Sequence, residues 1–108
     1  MANTPVLKQH PTLADLQQYV RDIVAHRQLN DSDLQAEFIM LIEEIGELAK
    51  AIRKYNGGKF AADTTRKDIE HEVGDVLMLF VGTCNILGID IEQALRAKEA
   101  INSKRTWE

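Results

Sequence analysis

Two short acidic segments that echo each other constrain this chain more than any other feature: Glu44-Ile45-Gly46-Glu47, preceded by Glu43, and Glu72-Val73-Gly74-Asp75. Each lies inside a long apolar run of helical period, and residues three apart on a helix share a face. Glu44 and Glu47 therefore form one carboxylate pair and Glu72 and Asp75 another, and antiparallel packing of the two helices would bring all four together. At an effective dielectric of about 20, two full charges ~5 Å apart repel by roughly 3 kcal/mol. Such a cluster calls for a cation. The donors are hard oxygens, no Cys or His stands at ligand spacing, and the Glu-x-x-His signature of di-iron bundles is absent. The set therefore predicts Mg²⁺, with Mn²⁺ as a substitute, rather than zinc, copper or an oxidising iron pair.

The 108 residues, 44% hydrophobic and 28% charged with only 2 Pro, predict one soluble domain rich in helix. A formal net charge of -4 argues against a nucleic-acid polymer as partner. The single cysteine, Cys84, allows no disulfide within the chain and fits a reducing cytoplasm. Met1 to Pro11 lacks the order of a signal peptide, and the longest apolar stretch, Val76 to Ile89, is broken by Gly82, Thr83, Asn85 and Gly88. That stretch is too short for a bilayer, so no membrane partner is expected.

Residues 1–11 read as a loose arm and residues 12–108 as an all-α domain, a four-helix up-and-down bundle with short connections. Thr12-Leu13-Ala14-Asp15 has capping-box spacing, and helix one should run to about Leu29. Helix two should run from about Asp33 to Tyr55 with Leu34, Phe38, Leu41, Ile45, Leu48 and Ile52 on one stripe, ended by Asn56-Gly57-Gly58. Helix three should begin near Thr64 or Thr65 and end at Gly88, its main stripe Ile69, Val73, Val76/Leu77, Phe80, Cys84 and Leu87. Asp90 caps a fourth helix to about Lys104.

A run of acids on a helix is most often a solvated face. Angles argue otherwise here. At about 100° per residue, with Ile45 as the centre of its stripe, Glu44 lies at about -100° and Glu47 at about -160°. Glu72 and Asp75 take the same two angles about Val73, and their face continues as Leu79, Gly82 and Ile86. The acids thus stand at the mouth of a second apolar contact, with another helix or another subunit, where paired carboxylates need a metal or ligand. Gly46 and Gly74, mid-helix, provide either close packing or room for water and substrate. Lys98, Asn102 and Arg105 extend the inward stripe of helix four as a basic and amide row. Beside an acidic metal site such a row suits a polyphosphate; a basic last turn complementing the helix dipole is the plainer alternative.

These residues together resemble the MazG-like family of all-α nucleoside triphosphate pyrophosphohydrolases. The family pattern, Glu-Glu-x-x-Glu then Glu-x-x-Asp on the next helix, is matched by Glu43-Glu44-Ile45-Gly46-Glu47 and Glu72-Val73-Gly74-Asp75, and the run from Lys98 to Trp107 is similar to its C-terminal signature. The resemblance implies Glu44, Glu47, Glu72 and Asp75 as Mg²⁺ ligands, Glu43 as a helper of Glu44 and Glu47 in catalysis, and Lys98, Asn102 and Arg105 as phosphate binders. It implies Mg-dependent hydrolysis of a ribo- or deoxyribonucleoside triphosphate to monophosphate and pyrophosphate, including removal of damaged nucleotides. It also implies a homodimer or homotetramer.

For the base pocket, Gln17, Tyr19 and Gln28 stand as unranked candidates, with Phe38, Tyr55, Phe60 or Trp107 available for stacking. A phosphoribosyl-ATP pyrophosphatase, sharing fold and acid logic, is the nearest alternative activity. A helical interaction module whose acids hold only a structural cation is the alternative outside enzymes.

Overall fold

The computed structural model describes residues 3–29, 33–56 and 65–105. They form four helices, α1 (Leu13–His26), α2 (Leu34–Tyr55), α3 (Arg66–Ile86) and α4 (Ile91–Asn102), with no strand among the described residues. The all-α class expected from periodicity is borne out. Phe60 and Trp107, named for base stacking, and Gly57-Gly58, named as the end of helix two, lie outside the described residues.

Each helix begins at a side-chain cap that the sequence marks. The Asp15 amide donates to Thr12 Oγ1 at 3.0 Å and the Thr12 amide to Asp15 Oδ2 at 2.9 Å, a closed capping box; Thr65 and Asp68 repeat it ahead of α3. Asp33 and Asp90 accept from the amides of Ala36 and Gln93 to start α2 and α4. Losing a cap of the Thr12 kind costs ~1 kcal/mol.

α1 stops at His26, short of the expected Leu29, because Gln28 adopts φ 57° and the Leu29 amide bonds back to the Val24 carbonyl at 2.9 Å. This is the closure usually made with glycine, so no residue type announced it. α3 closes the same way with the expected glycine: Gly88 has φ 68° and the Ile89 amide reaches the Cys84 carbonyl at 2.9 Å. The chain then turns sharply, α3 and α4 meeting at 92°.

α2 and α3 make the main contact, α1 packs on α3, and α4 on α1. The buried apolar residues are Val20, Ile23, Leu41, Val81 and Cys84. Which face of α2 and α3 turns inward differs from expectation. Phe38, Ile45 and Ile52 on α2, and Val73, Leu77 and Phe80 on α3, are exposed, whereas Leu41, Glu37, Glu44, Glu72, Val76 and Leu79 are buried or half-buried. At about 100° per residue, the inward direction is turned by roughly 80° from Ile45 and from Val73, towards the acids. Both helices carry more apolar surface than one contact can cover. The face bearing the acids is therefore the helix–helix contact within the chain, and the broader stripe looks outward.

Gln17, a base-pocket candidate by sequence, is a structural clamp. It is 5% exposed; its Nε2 donates to Asn85 Oδ1 at 2.9 Å and to the Ile89 carbonyl at 2.8 Å, and its Oε1 accepts from the Ile91 amide at 2.9 Å. Gln17 ties α1 to the turn between α3 and α4, which no spacing in the sequence signals.

Candidate active site

An ideal Cβ on Gly82 would lie 2.6 Å from Glu37 Oε1 and 4.0 Å from Val20 Cγ1, so α1, α2 and α3 meet at that glycine. Seven residues before Gly82 is Asp75, and seven after Glu37 is Glu44. The pairings Glu37 with Gly82 and Glu44 with Asp75 run in opposite directions, so α2 and α3 are antiparallel. Seven residues are about two turns, ~10 Å along the axis. The acids form one level of the structure and Gly82 another.

At the acidic level, carboxylate oxygens of Glu44, Glu72 and Asp75 all lie within 4.8 Å of one another. Glu44 and Glu72 are half-buried and Asp75 is exposed. The Glu44 carboxyl is held above the usual carboxylate range, first by desolvation, then by the close approach of the Glu72 carboxyl and by the charges of Asp75, Glu72 and Glu47. Glu72 Oε2 is buried without a hydrogen-bond partner among the described residues. An orphaned oxygen among mutually repelling carboxylates fits a hard divalent cation. Glu44, Glu72 and Asp75 would hold such an ion through carboxylate oxygens, the donors that Mg²⁺ takes.

Glu43 and Glu47 are exposed on the same stretch of α2, and neither is in that group of three, although the charge of Glu47 is felt by Glu44. Lys98, Asn102 and Arg105 do not line the cavity beside the acids; the Asn102 amide donates to Glu99 Oε1 at 3.0 Å, on its own helix. Gly46 and Gly74 are not close-packing glycines: a Cβ at either would have no neighbour within 4 Å among the described residues.

A cavity of about 630 Å³ opens from the acidic cluster between α1, α2 and α3. Glu44 and Asp75 form one end, Glu37 and Gly82 the other, and Val20, Ile23, Val24, Met40, Met78 and Leu79 provide apolar walls. Arg21, Arg27 and Asn85 are its remaining polar lining of note. Tyr19, Gln28, Phe38 and Tyr55, named for the base pocket, are not among the lining residues. Glu37 and the two arginines were missed by sequence reasoning. For Glu37 a signal existed, since it lies two turns before Glu44 on the same face.

Residues 33–105 match the MazG nucleotide pyrophosphohydrolase domain, most of the chain and all of the acidic motifs. The chain belongs to this family. The chain is similar to the dATP/dGTP diphosphohydrolase of Cyanophage S-2L, 40% identical over 67 residues, which are 62% of this chain and 51% of the phage protein. It therefore spans about half the length of that enzyme. It is 25% identical over 100 residues to YvdC of Bacillus subtilis (strain 168), covering 86% of this chain and 94% of that one. Among solved structures, the Bacillus-conserved MazG protein, described as a nucleotide pyrophosphohydrolase, superposes with a TM-score of 0.70 at 29% identity, covering 94% of this chain and 97% of its own. The resemblance drawn from the acidic motifs is borne out, and with it a nucleotide pyrophosphohydrolase fold and class for this MazG domain.

Proposed function

We propose that this MazG domain hydrolyses a nucleoside triphosphate to the monophosphate and pyrophosphate, with Mg²⁺, or Mn²⁺ as a substitute, held by Glu44, Glu72 and Asp75 and by Glu47 as fourth ligand. The observation that carries it is the junction of those three clustered carboxylates with a deep apolar cavity of about 630 Å³, within the size range of small-ligand sites. The cation supplies the positive charge that offsets the phosphates and favours in-line attack of water at the α-phosphorus.

The protein's own groups bind and orient. The apolar walls take the nucleoside and exclude water. Val20 meets Gly82, Arg27 is seven residues beyond the one and Asp75 seven before the other, so Arg27 stands level with the acids. Its guanidinium is the nearest cationic partner for a phosphate in the cavity lining at that level. Glu43, exposed beside Glu44 and outside the ligand set, is the carboxylate we assign to take the proton of the attacking water. Phosphate roles for Lys98, Asn102 and Arg105 rest on the family pattern alone.

The domain further acts as a homodimer or homotetramer, in the cytoplasm where its substrates are. The exposed stripe of Phe38, Ile45, Val73, Leu77 and Phe80 supports assembly. So does the radius of gyration, 16.8 Å, against about 13 Å for a compact chain of this length. A second copy over that stripe would complete the core.

The test is a panel of ribo- and deoxyribonucleoside triphosphates with Mg²⁺, products resolved by phosphorus NMR, and Asp75→Asn as control. Monophosphate plus pyrophosphate, lost in the variant, is the expected result. Diphosphate plus phosphate would overturn attack at the α-phosphorus. Turnover of phosphoribosyl-ATP alone would reassign the substrate, and no turnover of anything would leave a binding module.

A further inference from the structure

Glu37 is absent from every acidic motif in the chain, yet it is the acid most deeply placed. It is 9% exposed, lines the cavity, and finds no hydrogen-bond or ionic partner among the described residues. Burial alone acts on its carboxyl, pushing its pKa up. Leaving a charge there unpaired is costly, and the fold makes a place for it: Gly82 is buried, and a Cβ there would lie 2.6 Å from Glu37 Oε1. The glycine is a notch for this carboxylate.

The other polar groups at that end are already engaged. Asn85 Oδ1 accepts from Gln17 at 2.9 Å and from Arg21 Nη1 at 3.1 Å, and Asn85 Nδ2 donates to the Gln17 carbonyl at 3.1 Å. Arg21 Nη2 donates to Gln18 Oε1 at 3.2 Å. Glu37 is thus the polar group at this end without a hydrogen-bond partner among the described residues, about 10 Å along α2 from Glu44. That separation is comparable to the reach of a nucleoside from its 5′ oxygen to the far edge of its base.

An ionised carboxylate offers two acceptors side by side and no donor. Among the common bases, only guanine presents two adjacent donors, N1–H and the 2-amino group, on one edge. Adenine and cytosine place an acceptor beside their amino group, and thymine and uracil flank their single N–H with carbonyls. Resting on the nucleotide hydrolysis proposed above, we propose that Glu37, seated against Gly82, is the specificity-determining residue of the cavity and selects guanine by accepting both donors of its Watson–Crick edge. The apolar walls and the flexible Met40 and Met78 grip the ring faces.

The experiment compares kcat/KM for dGTP, dITP and dATP on the full chain with Mg²⁺, alongside calorimetric binding of dGMP and dIMP, which differ only in the 2-amino group. The native protein should favour dGTP over dITP and dATP by about tenfold or more, as for a bidentate base contact, with the same order in monophosphate binding. Glu37→Gln, which offers one acceptor and one donor, should lose the guanine preference and gain on dATP through N6 and N1. Gly82→Ala, which displaces the carboxylate, should raise KM for dGTP more than it lowers kcat, with helicity retained. Equal handling of dGTP and dITP, or a guanine preference that survives Glu37→Gln, would overturn the role of Glu37 while leaving the hydrolysis standing. A dGMP preference without turnover would overturn the hydrolysis and keep guanine recognition; neither binding nor turnover would overturn both.

Discussion

Gln17 and Asn85 hold each other across 68 residues of chain: Gln17 Nε2 donates to Asn85 Oδ1 at 2.9 Å, and Asn85 Nδ2 donates back to the Gln17 carbonyl at 3.1 Å. Because Gln17 also serves the Ile89 carbonyl and the Ile91 amide, one side chain fixes α1 against the end of α3 and the start of α4. Gln17→Ala strands those buried groups and should cost about 2–3 kcal/mol. Urea unfolding midpoints check it. Gln17→Glu should be at least as damaging, since a carboxylate would face two oxygens where the amide donates.

The repulsion within the acidic cluster sets a pH-dependent stability. The Glu44 carboxyl is raised by burial and by its acidic neighbours, so its contribution to stability is present below the unfolded value and lost as pH rises through the raised folded value. In chelator at neutral pH, Glu44→Gln should therefore melt at a higher temperature than the native chain, the gain fading near pH 4. Added Mg²⁺ should raise the melting temperature of the native chain more than that of the variant. Thermal melts with and without metal decide it.

Asp15 behaves oppositely. Hydrogen bonds from the Thr12 amide and hydroxyl, with smaller help from Lys8, hold its carboxyl below the usual value. Its stabilisation is present above the unfolded value and disappears as pH falls through the lowered one. Asp15→Ala should destabilise α1 at pH 6 and make no difference near pH 2, read by circular dichroism. Asp68, held down by Thr65 in the same way, should show the same pattern for α3.

Leu77 is 45% exposed and Phe38 51% exposed on the outward stripe. If a second copy covers them, Leu77→Lys should dissociate the assembly and lower its melting temperature; burying an unpaired ammonium is prohibitive. Sedimentation velocity checks the mass. An unchanged oligomer would show that this stripe is not the contact.

Much of the site was legible in the linear order of residues. The spacing of Glu44 and of Glu72 and Asp75 places them on one helical face whatever else happens, and the structure brings those three together. Glu47 shares the spacing but stands outside the trio, because it lies one turn further along α2, where the helix face has rotated outward. The cavity was not legible, because its walls come from three helices and its deepest acid, Glu37, belongs to no motif.

The sequence by itself determined where the helices begin, that no strand competes, which acids share a face and which family the chain joins. Those are matters of backbone propensity, capping and short-range periodicity, settled within a few residues. Only the tertiary structure decided that the acid-bearing face packs inward while Ile45 and Val73 look out, that Gln17 is a clamp and that Glu37 rests against Gly82. A helix apolar over more than half its circumference can bury either flank. The choice is made by the shape and charge of what it packs against, which residues distant in the chain supply.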